Sequence, residues 1–140
     1  MTTIATDGKT MASDTRQGAD FIDQVESIKV FRIKGEVVGI CGDYAEARRY
    51  LEWLQNGSKK DDKPHFDKEA DFEALHLTQK GVFSVTKNLY RVATGTPAAC
   101  GSGGCHAIAA MMAGATPKRA VEIAIQLDPF SGGRVMVMKL

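Results

Sequence analysis

The stretch MTTIATDGKTMASDTRQ, residues 1–17, decides how the rest of the chain is read. TTIAT is a β-branched run, DGK is a turn signal, and TMASD pairs back on the first run, so a hairpin is predicted. Two threonines stand directly behind Met1. With Met1 removed, Thr2 carries a hydroxyl and an α-amine on one residue, and the amine can act as base for its own side chain. An α-amine titrates at about 7.7–8.0, against about 10.4 for lysine, and is about a tenth neutral at neutral pH. A neighbouring ammonium that lowers it by one unit, worth about 1.4 kcal/mol, makes it about half neutral. Such a site needs a lysine close by and a carboxylate to hold that lysine in place. Asp14, at the end of the second predicted strand, and Lys29, at the start of the third, are candidates for these two parts.

Further along, IKVFRI and EVVGICG flank KG and read as a second hairpin. EVVGICG is apolar at nearly every position, as a strand covered on both faces should be. DYAEARRYLEWLQNG is the clearest helix, with Asp43 as N-cap, Glu46 three residues on in the manner of a capping box, and Asn56-Gly57 as the stop. The polar segment 57–71 has no period and reads as a solvated connector. FEALHLTQKGVFSVT reads as a third hairpin turned at Lys80-Gly81, and NLYRVA as a following strand. TGTPAACGSGG reads as a small-residue loop leading into the helix CHAIAAMMAGA. A second helix, TPKRAVEIAIQLD, starts at Thr116 with Pro117 in its first turn, and PFSGGRVMVMKL ends the chain as a turn and a strand. Strands, helix, strands, two helices and a strand suggest stacked antiparallel sheets with helices outside.

The totals agree with one domain over residues 1–140. A chain of 140 residues buries ~70% of the surface it would expose unfolded. Net charge is +1, so neither a nucleic-acid footprint nor attraction to an anionic membrane is expected. No apolar run is long enough to span a bilayer. Cys41, Cys100 and Cys105 are expected to be free thiols in a reducing, cytoplasmic setting. The C-x4-C-H spacing of Cys100, Cys105 and His106 fits no common zinc pattern. Cys41 lies in a core-like strand, where a thiol is usually inert. His65, His76 and His106 occupy unlike settings, and no G-x-S-x-G elbow is present.

Taken in order, the blocks TTIA, ASDTR, IKVFRI, GICGDYAEA, GSGG before an alanine-rich helix, and DPFSGG resemble the proteasome β-subunit family of N-terminal-nucleophile hydrolases. HslV-type bacterial peptidases are the nearest members. The resemblance implies an α+β, four-layer αββα sandwich; here only residues 43–56 offer a helix before the third hairpin, so one outer helix should be shortened or missing. It implies a threonine-type endopeptidase with Thr2 as nucleophile once an aminopeptidase removes Met1. Asp14 and Lys29 fall on the family's acidic residue and essential lysine, and Gly39 on its oxyanion-hole glycine. Ser102 falls on the serine of GSGG, and Asp128 and Ser131 on the pair that supports the terminal amine. Gln17, Val37 and Cys41 fall where specificity residues sit. Carbonyls of Ile125, Asp128 and Ser131 could hold a monovalent cation such as Na+, while the chemistry itself requires no cofactor. The implied partners are unfolded polypeptide, further copies of the chain in a ring, and an ATP-driven unfoldase. Two other readings share the pattern: an amidase for a small amide, using Thr2 and Lys29 without a ring, and an inactive scaffold subunit.

Overall fold

The computed structural model describes residues 2–18 and 25–140. Met1, whose removal the expected chemistry needs, lies outside them. The opening hairpin forms as β1 (Ile4–Thr6) and β2 (Thr10–Ser13), with Ala5 opposite Ala12. Two short strands follow, β3 (Arg16–Gln17) and β4 (Val25–Glu26), which pair with each other. The second hairpin is β5 (Val30–Ile33) and β6 (Glu36–Gly42). Its turn residues, Lys34 and Gly35, have φ of 50° and 80°, the double left-handed turn that matches strand twist.

Helix α1 (Tyr44–Gln55) starts as expected, with the Asp43 carboxylate accepting from the N–H groups of Ala45 and Glu46. The capping box is only half made. Asp43 N–H donates to the Asp71 carbonyl, and Glu46 turns instead to Arg49. Residues 57–71 hold only a 3-10 turn at Lys60–Asp62. The third hairpin is β7 (Phe72–Thr78) and β8 (Gly81–Thr86), followed by β9 (Arg91–Ala93). Its turn falls on Gln79-Lys80, one residue earlier than read.

The small-residue loop contains a strand that composition hides, β10 (Ala98–Cys100). Helices α2 (Gly104–Met112) and α3 (Pro117–Leu127) and the last strand, β11 (Met136–Lys139), complete the chain.

The strands form two large sheets, ordered β10-β1-β2-β11 and β5-β6-β7-β8-β9. Between them lies a core containing Ile4, Met11, Val37, Leu75 and Leu77. Strand β6 faces two ways, as its unbroken apolar run requires: Val37 and Cys41 point to this inter-sheet core, while Val38 and Ile40 point to α1. Helices α2 and α3 cover the other sheet through Ala5, Ala12, Ala107, Ala120, Val121 and Ala124. Small side chains there let the helices lie close to the strands. Among the described residues the layers are therefore α1, five strands, four strands, and α2 with α3: an αββα sandwich with a single helix on one outer face.

Candidate active site

The residues around the start of β1 come from the segments after β2, before β5 and after α3. Asp14 follows β2 and is fully buried. Its Oδ1 accepts the Thr3 N–H at 3.0 Å and the Lys29 ammonium at 3.0 Å, and its Oδ2 accepts the Gly132 N–H at 3.0 Å. Three donors on one carboxylate fix it in place. Lys29 is 3% exposed and also donates to the Arg16 carbonyl at 2.5 Å. Its own carbonyl accepts the Ile40 N–H at 2.9 Å, tying it to β6. Burial lowers the Lys29 pKa and the Asp14 charge opposes that shift; the net direction is down.

A second cluster approaches from the α3 end. Asp128 caps α3, and its Oδ2 accepts the hydroxyls of Ser102 and Ser131, both at 2.6 Å, while its Oδ1 accepts the Phe130 N–H at 3.2 Å. Burial alone would raise the Asp128 pKa, but these hydrogen bonds outweigh it and hold the carboxyl below its ordinary value. The Ser131 hydroxyl has one proton. With that proton given to Asp128, the 2.7 Å contact between Ser131 Oγ and Thr3 Oγ1 has Thr3 as donor. Likewise Ser102, committed to Asp128, lies 3.4 Å from the Thr2 carbonyl without a second proton for it.

The alternation of GSGG follows from this crowding. A Cβ on Gly101 would lie 2.0 Å from the Thr2 carbonyl oxygen, and one on Gly103 would lie 1.9 Å from Thr3 Oγ1. Glycine at both positions lets the N-terminal strand pass against the loop, leaving Ser102 to face Asp128.

Thr2 opens onto two adjoining hollows. One is lined by Thr2, Gln17, Lys29, Cys41 and Gly42, among others. The second is lined by Thr2, Cys41, Gly42, Asp71, Glu73, Gly101 and Ser102. Burial and then the neighbouring Asp71 push the Glu73 carboxyl above its ordinary value. Thr2, Lys29, Gln17 and Cys41 thus share one cleft, with Asp14, Ser102, Asp128 and Ser131 in the networks behind it.

Two expected residues stand elsewhere. Gly39 sits inside the sheet, opposite Val30 on one side and Leu75 on the other. Its missing Cβ makes room for Ile4 Cγ2, 2.6 Å from where it would stand, and for Met11 Sδ at 2.8 Å. This glycine serves sheet packing. Gly42 is the glycine on the cleft wall; its φ is +95°, and a Cβ there would lie 2.3 Å from the Asp71 carbonyl oxygen. Val37 is fully buried in the inter-sheet core and lines neither hollow.

The cation expected at the last turn would be held by the backbone carbonyls of Ile125, Asp128 and Ser131. The Asp128 carboxylate is already met by three donors, and its carbonyl accepts the Ser131 N–H at 3.3 Å.

Sequence reasoning missed Thr3, Gly42 and Gly132. Gly42 had a readable signal, since it directly precedes the Asp43 N-cap where a strand turns into a helix. Gly132 carries no local signal, because its role is set by a carboxylate 118 residues away.

This is the fold of the N-terminal-nucleophile hydrolases of the HslV type. HslV from Trypanosoma brucei superposes with a TM-score of 0.71 at 18% identity, over 99% of each chain. Thiobacillus denitrificans BPH gives 0.66 at 23% identity, covering 99% of this chain and 97% of that one, and its complex with epoxomicin is likewise similar at 0.66 and 20%. A Gly-1 mutant of Anbu from Hyphomicrobium sp. strain MC1 gives 0.73 at 11% identity, covering all of this chain and 81% of that one. No family model matches the sequence, and no curated protein matches it. Among the described residues, no helix is long and apolar enough to cross a membrane.

Proposed function

We propose that the chain is a threonine-type endopeptidase of a proteasome-like compartment, with Thr2 as nucleophile after removal of Met1. The observation that carries this reading is the Asp14 carboxylate. One of its oxygens holds both the Thr3 N–H and the Lys29 ammonium, which keeps a fixed cation beside the residue that follows the nucleophile.

In the proposed reaction the neutral Thr2 amine takes the proton from Thr2 Oγ1 as the oxygen attacks the peptide carbonyl. Lys29 favours the neutral amine and the developing alkoxide. The tetrahedral intermediate collapses with loss of the C–N bond, and the ammonium returns its proton to the departing amine. Water, deprotonated by the same terminal amine, then attacks the Thr2 ester and releases the acid. We assign the oxyanion donor to the N–H of Gly42 instead of Gly39, because Gly42 shares both hollows with Thr2. Losing one such donor costs about 10²–10³ in rate. Gln17 and Cys41, with Tyr44, would border the pocket for the substrate side chain.

The compartment is the remaining part of the proposal. Tyr90, Val92, Leu127 and Phe130 are all at least half exposed and could serve as contact faces between copies in a homo-oligomeric ring. Unfolded polypeptide is the proposed substrate and an ATP-driven unfoldase the proposed feeder, within the cytoplasm.

The test is hydrolysis of an unfolded protein such as casein by wild type and Thr2→Ala, with the size of the particle measured alongside. Cleavage by a large ring that disappears in Thr2→Ala is expected. Cleavage of small amides only, by a monomer or dimer, would replace this reading with the amidase one. A trimmed, folded ring without any hydrolysis would leave a scaffold.

A further inference from the structure

Behind the nucleophile, the two sheets bring together three side chains that the proposed hydrolysis does not use as a group. Cys41 and Glu73 are directly opposite each other on β6 and β7, and side chains of paired residues project to the same face of a sheet. Cys100 comes from the facing sheet, on β10, where it is paired with Ile4. Its Sγ lies 3.0 Å from that of Cys41. The two sulfurs and a Glu73 carboxylate oxygen all lie within 4.8 Å of one another. Both cysteines are reduced, and both are 5% exposed. Glu73 and Cys41 also line the open cleft that Thr2 enters, so the cluster has a route to solvent.

We propose that Cys41, Cys100 and Glu73 form a binding site for a thiophilic divalent cation of the zinc class, on the floor of the cleft. Two sulfurs and one carboxylate are a donor set that borderline-soft ions accept, and three protein ligands leave a fourth position open to water. The ligands arrive from three strands whose register is fixed by sheet pairing, and the two sulfurs, now 3.0 Å apart, would open to about 3.8 Å around a tetrahedral ion with metal–sulfur bonds of about 2.3 Å. The Asp71 carboxyl lines the same hollow and adds negative field at the mouth. On binding, each coordinating thiol releases its proton to solvent as the metal–sulfur bond forms, with no change in oxidation state. A disulfide between the same cysteines would account for the sulfur contact but not for Glu73, which converges on the same point.

An ion held there would share the cleft with Thr2. If the proposed function holds, it should therefore slow acylation of Thr2; the binding test does not depend on that activity. Reduced, full-length protein is titrated anaerobically with Co2+, and the thiolate-to-cobalt charge-transfer absorption is followed. A band saturating at one ion per chain is expected. It should vanish in Cys41→Ser and Cys100→Ser, stay unchanged in Cys105→Ser, and weaken in affinity by at least about tenfold in Glu73→Gln. In the wild-type chain, saturating Cd2+ should protect Cys41 and Cys100 from alkylation but leave Cys105, which is exposed, reactive; this arm needs no variant to fold. Absence of the band, a band carried by Cys105, or an affinity indifferent to Glu73→Gln would overturn the site. So would a Cys41–Cys100 disulfide that persists under reductant.

Discussion

The chain contains two buried polar networks of similar parts and opposite surroundings. In the first, Asp14, Lys29, Ser131 and Asp128 surround the N-terminal strand and adjoin the cleft that Thr2 lines. In the second, Glu36, His76 and Tyr50 form an acid–imidazole–hydroxyl series, with His76 Nδ1 2.9 Å from Glu36 and Nε2 2.8 Å from the Tyr50 hydroxyl. An ionised carboxylate can only accept, so Nδ1 carries the proton and Tyr50 donates to the bare Nε2. On composition the second network looks the more catalytic. Yet Tyr50 is 2% exposed, its ring packed at centroid distances of 5.0 Å from Phe72 and 5.9 Å from Trp53. Burial also pushes the Tyr50 phenol up, away from reactivity. The second network is sealed under α1, whereas the first adjoins a cleft at the N-terminal end of β1, and that access is what separates them.

The largest contrast is expected from deleting each hydroxyl. Thr2→Ala should lower peptide hydrolysis by about 10⁴-fold or more, because nucleophile and base act as one unit. Its melting temperature should stay close to wild type. Tyr50→Phe should leave hydrolysis unchanged. A Tyr50→Phe variant that loses catalysis while still folded would break the comparison.

Next in size is Lys29→Ala. It strands a fully buried carboxylate, which costs about 3–5 kcal/mol in denaturant unfolding, and removes the cation from the site, so the folded fraction should be inactive. Variants with both Lys29→Ala and Asp14→Asn should recover part of the stability and none of the activity. Recovery of both would show that the pair serves only the fold.

Tyr50→Phe should itself cost about 1–3 kcal/mol, since it leaves His76 Nε2 buried without a partner. The smallest effect is in pH. Burial lowers the His76 pKa below 6.5, so as pH falls through 6.5 the unfolded chain takes up the proton first. Stability is therefore lost on moving from neutral toward the lowered folded pKa, by at most about 1.4 kcal/mol per unit. In His76→Gln that part of the slope, which begins as pH falls through 6.5, should flatten, in a window above the one in which the lowered Glu36 carboxyl titrates.

The two regions also differ in how far the sequence revealed them. Around α1 the local signals were strong: Asp43 as cap, the unbroken apolar run of β6, and the two-residue turn at Lys34-Gly35. The layer order followed from such signals. The position of the lone outer helix did too, because 57–71 has no apolar period to bury. At the N-terminal end of β1 the single residues Thr2, Asp14 and Lys29 were singled out in the sequence, since the chemistry expected there demands those types. Their supports were not. Gly132 and Thr3 act through backbone or hydroxyl contacts made across the fold, and β10 is hidden because alanines and a cysteine beside glycines look like a loop. The resemblance put the oxyanion glycine on Gly39, and Gly42 is a second glycine of the same strand. Only their opposite surroundings, Ile4 and Met11 for one and the cleft for the other, separate them. Val37 failed as a pocket residue for the same reason: β6 sends alternate side chains to opposite faces, and its face was filled by the second sheet.

The central claim is that a free Thr2 amine, with Lys29 beside it, makes the Thr2 hydroxyl nucleophilic. Intact and peptide mass spectrometry after incubation with epoxomicin tests it most directly, on chains with and without Met1. The account predicts one adduct, located on Thr2, on the trimmed chain only, and none on trimmed Lys29→Ala that has been shown to be folded. A trimmed, folded wild-type chain that stays unmodified, or one modified at Cys105 in place of Thr2, would contradict it.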